Sequence, residues 1–189
     1  MADLILAKHA MPEIVPGVPG REWRLSAEGR RRSRDLAARL APYQPSALVT
    51  SSEPKAQETG EIAADALGLA VETMPDLHEN DRTGLAYTSA EDWQAMIARF
   101  FAAPDELVMG RETADQAYAR FEAAVAAVAA RHTGTAAIVA HGTVITLLVS
   151  RLTGVPPLPL WESLGLPSFV VLRRPDMELV RVVARMDEF

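Results

Sequence analysis

There is no cysteine anywhere in the 189 residues. Disulfides and thiolate metal sites are excluded, and the redox state of the compartment leaves no mark on the sequence. Long apolar runs are missing too; none approaches the length needed to span a bilayer. Met1-Ala2-Asp3 carries no basic residue, and the apolar run behind it is too short for a signal peptide. A cytoplasmic location is therefore expected, with no membrane partner. Nor is positive charge in excess: 19 Lys and Arg stand against 25 Asp and Glu, a net charge of −6. Such a field does not favour nucleic acid. An anion site here has to be made locally, by a few cations inside a cleft. Repeats, low-complexity stretches and interior linkers are also absent, so residues 1–189 are read as a single domain with room for a substantial core.

What is present is a set of short apolar runs alternating with helical patterns. Leu4 to Ala7 has no polar alternation, as expected of a strand covered on both faces. Met11 to Arg24 is dense in proline and glycine and reads as a loop. Ser26 is the natural N-cap of a helix with Leu36, Ala37 and Leu40 inward, and Arg30, Arg31, Arg32 and Arg34 form its solvated face, interleaved by Glu28 and Asp35. Ala47 to Thr50 is a second strand. Pro54 suits the first turn of the next helix, and Gly68 closes it. Ala70 to Met74 is a third strand, and the polar stretch from Pro75 to Gly84 a loop. Ser89 opens a helix with Trp93, Met96, Ile97 and Phe100 inward, and Thr113 to Gln116 has capping-box spacing ahead of a long helix. Thr135 to Ala140 is a fourth strand, and Thr143 to Leu152 a helix ended by Gly154 and prolines 156, 157 and 159. Ser168 to Leu172 and Leu179 to Val183 read as a hairpin-like pair. The pattern predicts an α/β fold: a three-layer α/β/α sandwich, mostly parallel, with an antiparallel edge. Residues 75–112 read as an insertion that covers the strand ends as a partial lid.

Two of these strands end alike, in Lys8-His9-Ala10 and in Ala140-His141-Gly142. Ligands bind at the carboxyl ends of strands in open α/β sheets. The second strand adds Ser51 and Ser52, with Lys55 in the following turn. The loop after the third adds Glu79, and Gly142 begins a helix. Two cations, two histidines, a carboxylate and helix N-termini suit a tetrahedral dianion. His78 is read as solvated and His132 as structural at a helix C-terminus. Trp23 and Trp161 either line a pocket mouth or pack.

Five segments in order, Lys8-His9-Ala10, Leu25-Ser26-Ala27-Glu28-Gly29, Ser51-Ser52-Glu53-Pro54-Lys55-Ala56-Gln57-Glu58-Thr59, Leu77-His78-Glu79 and Ala140-His141-Gly142, resemble the histidine phosphatase (phosphoglycerate mutase-like) superfamily. They span about three quarters of the chain. The resemblance implies a metal-independent phosphatase with no cofactor. His9 would attack phosphorus and carry a phosphohistidine. Glu79 would be the general acid, with Asp76, Asp81 and Glu72 as neighbouring carboxylates. His141, Lys8, Lys55, Ser51 and Gly142 would hold the phosphoryl oxygens. The implied substrate is a small phosphomonoester, with a phosphoprotein also open, and a homodimer would match the superfamily's habit. Two departures qualify this, because both family arginines are lysines here, Lys8 and Lys55. Lysine keeps the charge but not the two-toothed hydrogen bond. Either a nearby arginine, Arg21 or Arg82, reaches in, or the chain is a weakened relative that binds a phosphorylated ligand or partner without efficient turnover. A phosphoglycerate mutase fits less well, since the chain is short and the segment after Ala10 departs from that branch.

Overall fold

Leu4, Ile5, Leu6 and Ala7 are all fully buried, as a strand covered on both faces requires. They belong to β1 (Asp3–Lys8) of a six-stranded sheet completed by β2 (Ala47–Ser51), β3 (Val71–Met74), β4 (Ala136–Ala140), β5 (Ser168–Arg173) and β6 (Glu178–Val183). The computed structural model describes residues 2–85 and 88–186. Two residues of the segment 75–112, Ala86 and Tyr87, lie outside that range. The spatial order of the strands is β3-β2-β4-β1-β5-β6. The first four run parallel, and β5 is antiparallel to both β1 and β6, so the antiparallel strand lies one place in from the edge.

Alternate residues of each strand serve opposite layers. Ile5, Ala7, Ala137 and Val139 pack with Leu36 and Leu40 of α1 (Ala27–Leu40) and Ala56 and Ala63 of α2 (Pro54–Leu67). Leu4, Leu6, Ile138 and Ala140 pack on the other side. Their partners are Ile97 and Phe100 of α3 (Ala90–Ala102), Phe121 and Val125 of α4 (Ala114–Arg131), and Val144 and Leu148 of α5 (Gly142–Thr153). The result is the three-layer α/β/α sandwich.

The local signals hold. The Ser26 side chain accepts from Gly29 N, Gly68 closes α2 with a left-handed φ of 68°, and the capping box of Thr113 and Gln116 is complete. The arginines of α1 lie at the surface, where Arg31 and Arg32 pair with Glu28 and Arg30 pairs with Glu58. One reading is corrected. Prolines 156, 157 and 159 do not merely terminate α5; Pro157–Ser163 is a further helix, α6. Proline in a first turn removes only N–H groups that have no helical partner. Leu160 and Leu164 then tie the short helix to the core. No helix among the described residues is long and apolar enough to cross a membrane.

Candidate active site

Register brings the two histidines together. In the parallel pair β1·β4, Lys8 stands opposite Ala140, and the next step is a hydrogen bond from His9 N to Ala140 O at 3.0 Å. His9 and His141 therefore leave adjacent strands side by side, with ring centroids 5.2 Å apart. Both are buried, His9 at 8% exposure and His141 at 0%.

Each ring is fixed by its neighbours. His9 Nδ1 lies 2.8 Å from Ala10 O. A carbonyl only accepts, so Nδ1 carries the proton and Nε2 the lone pair. His141 Nε2 lies 2.8 Å from Ser51 Oγ, and that oxygen accepts from Glu53 N at 3.2 Å, which leaves its hydroxyl proton for His141 Nε2. His141 Nδ1 is buried without a partner among the described residues. Burial holds both imidazoles neutral, well below the ordinary histidine pKa. For His9 the Lys55 ammonium adds to this, and for His141 Lys55 again does, against Glu79.

The segments between the strands lock the turn after His9. The N–H of Ala10 donates to Thr59 Oγ1 at 3.0 Å, and that hydroxyl donates to Lys55 O at 2.7 Å. Met11 O accepts from Ser26 N and from Ser26 Oγ, both at 3.1 Å. Gly29 permits this approach, because a Cβ there would stand 2.1 Å from Met11 O. The Leu-Ser-x-x-Gly and Ser…Thr segments thus brace the backbone that presents the histidine.

Lys8 reaches across Gly142, whose own Cβ would sit 3.0 Å from Lys8 Cε, and donates to Leu164 O at 2.7 Å. Burial lowers the Lys8 ammonium to about 8; Glu79 opposes the shift and Arg82 adds to it. Lys55 donates to Gly20 O at 2.7 Å and pairs with Glu53 Oε2 at 2.5 Å. Glu53 is a residue that sequence reasoning missed. It is buried, its Oε1 accepts from Glu79 N at 2.9 Å, and it stands 3.7 Å from His141 Nε2. The available signal was its place two residues before a lysine expected at the cleft, since a cation drawn out of water calls for a carboxylate.

Glu79 caps α5. Its carboxylate accepts from Thr143 N at 3.2 Å, Val144 N at 3.3 Å and Asn80 N at 3.0 Å, and pairs with Arg82 Nη2 at 3.2 Å. Burial pushes the carboxyl up, but Arg82 and the backbone N–H groups of Asn80 and Thr143 overcome it, and Glu79 lies at about 2. The loop carrying Glu79 is clamped by Arg120 of α4, which donates to the carbonyls of Asp76, His78 and Glu79 and pairs with Glu112 at 2.6 Å. No sequence signal marked Arg120 or Glu112.

The structure therefore gathers Lys8, His9, Ser51, Lys55, Glu79, His141 and Gly142. Of the two candidate arginines, Arg82 reaches in, donating to Thr143 Oγ1 at 2.8 Å; Arg21 does not, and bonds Thr83 Oγ1 at the surface. His78 turns to Pro75 O, His132 meets Glu72, and Trp161 packs on the core. Trp23 donates to Val18 O inside the loop. Among the described residues no group of three or more metal-ligating side chains is close enough to hold a metal ion.

The histidine phosphatase superfamily (branch 1) matches residues 14–181. The chain belongs to that superfamily. The matched span begins past Lys8-His9-Ala10, where the chain departs from the family's arginine. No curated protein matches the chain by sequence. Among solved structures, a mycobacterial glucosyl-3-phosphoglycerate phosphatase superposes with a TM-score of 0.77 at 20% identity, covering 96% of this chain and 97% of its own. YhfR of Bacillus stearothermophilus gives 0.75 at 21% identity, covering 97% and 96%. A phosphoserine phosphatase variant from Entamoeba histolytica, in complex with phosphoserine, gives 0.78 at 13% identity over 100% of both chains. At these identities the likeness establishes the phosphoglycerate mutase-like fold. With the superfamily match, it supports a phosphatase enzyme.

Proposed function

We propose that the protein hydrolyses a phosphomonoester through a phosphohistidine on His9. The observation that carries this is the His9 ring, neutral and tied through Nδ1 to Ala10 O, with Nε2 as its lone-pair nitrogen, 5.2 Å centroid to centroid from His141. Nε2 attacks phosphorus in line, the P–O bond to the alcohol breaks, and the leaving oxygen takes a proton from Glu79. Water then attacks the phosphohistidine while Glu79 recovers a proton from it, which releases inorganic phosphate and neutral His9. Lys8, Lys55 and the Gly142 N–H stabilise the equatorial oxygens, where transition-state charge is spread. With Ser51 donating into His141 Nε2, the buried Nδ1–H of His141 is a further donor.

Glu79 rests as a carboxylate, so its proton arrives with the substrate. A phosphate ester's second ionisation lies near pH 6, and the bound phosphate displaces the N–H groups and cations that hold Glu79 low. The segment 75–112, which carries Glu79, closes the mouth over the strand ends in this reading.

One observation favours a second reading, a site that binds a phosphorylated ligand or partner with little turnover. The Lys55 ammonium already has a carboxylate at 2.5 Å. The test is hydrolysis of phenyl phosphate without added metal by the wild type, His9→Ala and Lys8→Arg/Lys55→Arg. Turnover that His9→Ala abolishes, with a trapped phosphohistidine in the wild type, supports the phosphatase. Silence in the wild type with activity in the arginine variant supports the weakened relative.

A further inference from the structure

Glu53 takes no part in the chemical steps described above, yet it touches the groups that do. It is the N-cap residue of α2, and its backbone is fixed on both sides. Its N–H donates to Ser51 Oγ at 3.2 Å, its carbonyl accepts from Ala56 N at 2.9 Å and Gln57 N at 3.0 Å, and Pro54 follows it. The side chain is 10% exposed. Each carboxylate oxygen takes one donor, and the donors come from different segments. Oε2 takes the Lys55 ammonium at 2.5 Å, and Oε1 takes the Glu79 N–H at 2.9 Å. Oε1 also stands 3.7 Å from His141 Nε2.

A lysine in place of an arginine keeps the charge and loses the orientation, because an ammonium is a point charge on a flexible stem with three rotatable donors. At Lys55 two of the three are committed, to Glu53 Oε2 and to Gly20 O at 2.7 Å. Among the described residues the third has no acceptor. With two donors of a tetrahedral ammonium fixed, the direction of the third is fixed as well. The other carboxylate oxygen acts on the acid. Anchoring the Glu79 N–H fixes the Cα from which the Glu79 carboxyl reaches the leaving oxygen. Only a carboxylate serves both donors at once. A glutamine has one acceptor oxygen and an NH2 group, so one of the two donors would face another donor.

We propose that Glu53 is a positioning residue that sets two groups in one frame: through Oε2 it aims the free N–H of Lys55 at the phosphoryl group, and through Oε1 it holds Glu79 at the leaving oxygen. This rests on the phosphatase reading of the same site and deepens it. The contact between Glu53 and Lys55 then prepares the cation for the phosphoryl group rather than withdrawing it.

The experiment measures kcat/KM for 4-nitrophenyl phosphate and phenyl phosphate in the wild type, Glu53→Gln, Glu53→Asp and Lys55→Met, with folding checked by circular dichroism. The quantity read is the ratio of the two values within each protein, 4-nitrophenyl over phenyl. A loss of folded protein leaves that ratio unchanged. A displaced acid raises it, because the poorer leaving group depends more on the proton. Expected is a rise of about tenfold or more in Glu53→Gln and in Glu53→Asp, within the loss that a misplacement of about 1 Å brings. Lys55→Met should lower both esters alike and leave the ratio where it was. Aspartate keeps the charge but draws the carboxylate back by one methylene, so a wild-type ratio in Glu53→Asp would make the role purely electrostatic and overturn the proposal. An unchanged ratio in Glu53→Gln overturns it too. If the wild type turns over neither ester, the phosphatase reading fails, and calorimetric titration with inorganic phosphate decides this one. Lys55→Met should then cost less phosphate affinity in the Glu53→Gln background than in the wild type, because the cation has already lost its aim; an equal or larger cost sinks the proposal.

Discussion

A lysine where the family has arginine is a pH-sensitive choice. Arginine stays charged at any pH the protein meets, whereas Lys8 titrates at about 8, lowered by burial. Its ammonium is present below that value and lost above it, so an anion held by Lys8 weakens as pH rises through about 8. The free-enzyme profile of kcat/KM should fall on its alkaline side near that pH. In Lys8→Arg that limb should move to higher pH, and an unmoved limb would assign the fall to another group. Glu79 poses the opposite question. A carboxyl at about 2 has to be protonated by the incoming phosphate before it can act as an acid. Glu79→Gln should therefore cost more with a poor leaving group than with a good one. Removing a general acid typically costs about 10²–10⁴-fold, so phenyl phosphate should lose far more than 4-nitrophenyl phosphate. Equal losses would place the proton elsewhere.

At the scale of elements, the site is held by braces that run from helices to loops. Gly29 lies on the inner face of α1 because Met11, two residues past His9, passes against it. Gly29→Ala should destabilise the fold by about 1–3 kcal/mol, the usual cost of overpacking, and lower turnover with it; thermal denaturation and phenyl phosphate hydrolysis read the two effects. The Arg120–Glu112 pair is a second brace. Arg120 is 17% and Glu112 14% exposed, and Asp81 N also donates to Glu112 at 2.8 Å. Breaking one partner of a buried pair typically costs about 3–5 kcal/mol, more than replacing both. Arg120→Met should lower the melting temperature and the activity carried by the Glu79 loop. Arg120→Met/Glu112→Gln should be less destabilised than Arg120→Met alone, and a more severe double variant would contradict the clamp.

For the whole molecule, the strand order does the assembling. β4 arrives late in the chain yet inserts between β1 and β2, and every one of its residues is buried. It should exchange its amide hydrogens only on global unfolding, whereas the exposed stretch around Ile14 and Val15 exchanges orders of magnitude faster. Hydrogen exchange followed by mass spectrometry checks this directly. The same insertion sets the site. Gly20 and Leu164 come from far apart in sequence, yet each supplies a carbonyl to one of the two lysines.

The sequence alone was enough for most of the elements and for placing the candidate residues where strands end, because those signals are local. Apolar runs without alternation mark buried strands, Ser26, Gly68 and Thr113 mark helix ends, and His9 and His141 stand where strands stop. It was not enough for α6, where the prolines read equally well as a stop or as a first turn. Nor did it reveal Glu53 and Arg120 as partners in the site, or distinguish Arg82 from Arg21. Those depend on distances between segments separated by dozens of residues, which packing sets and no local pattern encodes. Periodicity and capping act within a few residues of each other. Which cation meets which carboxylate was decided only when β4 entered the sheet, α5 turned its N-terminus to Glu79, and α4 drew the intervening loop across the strand ends.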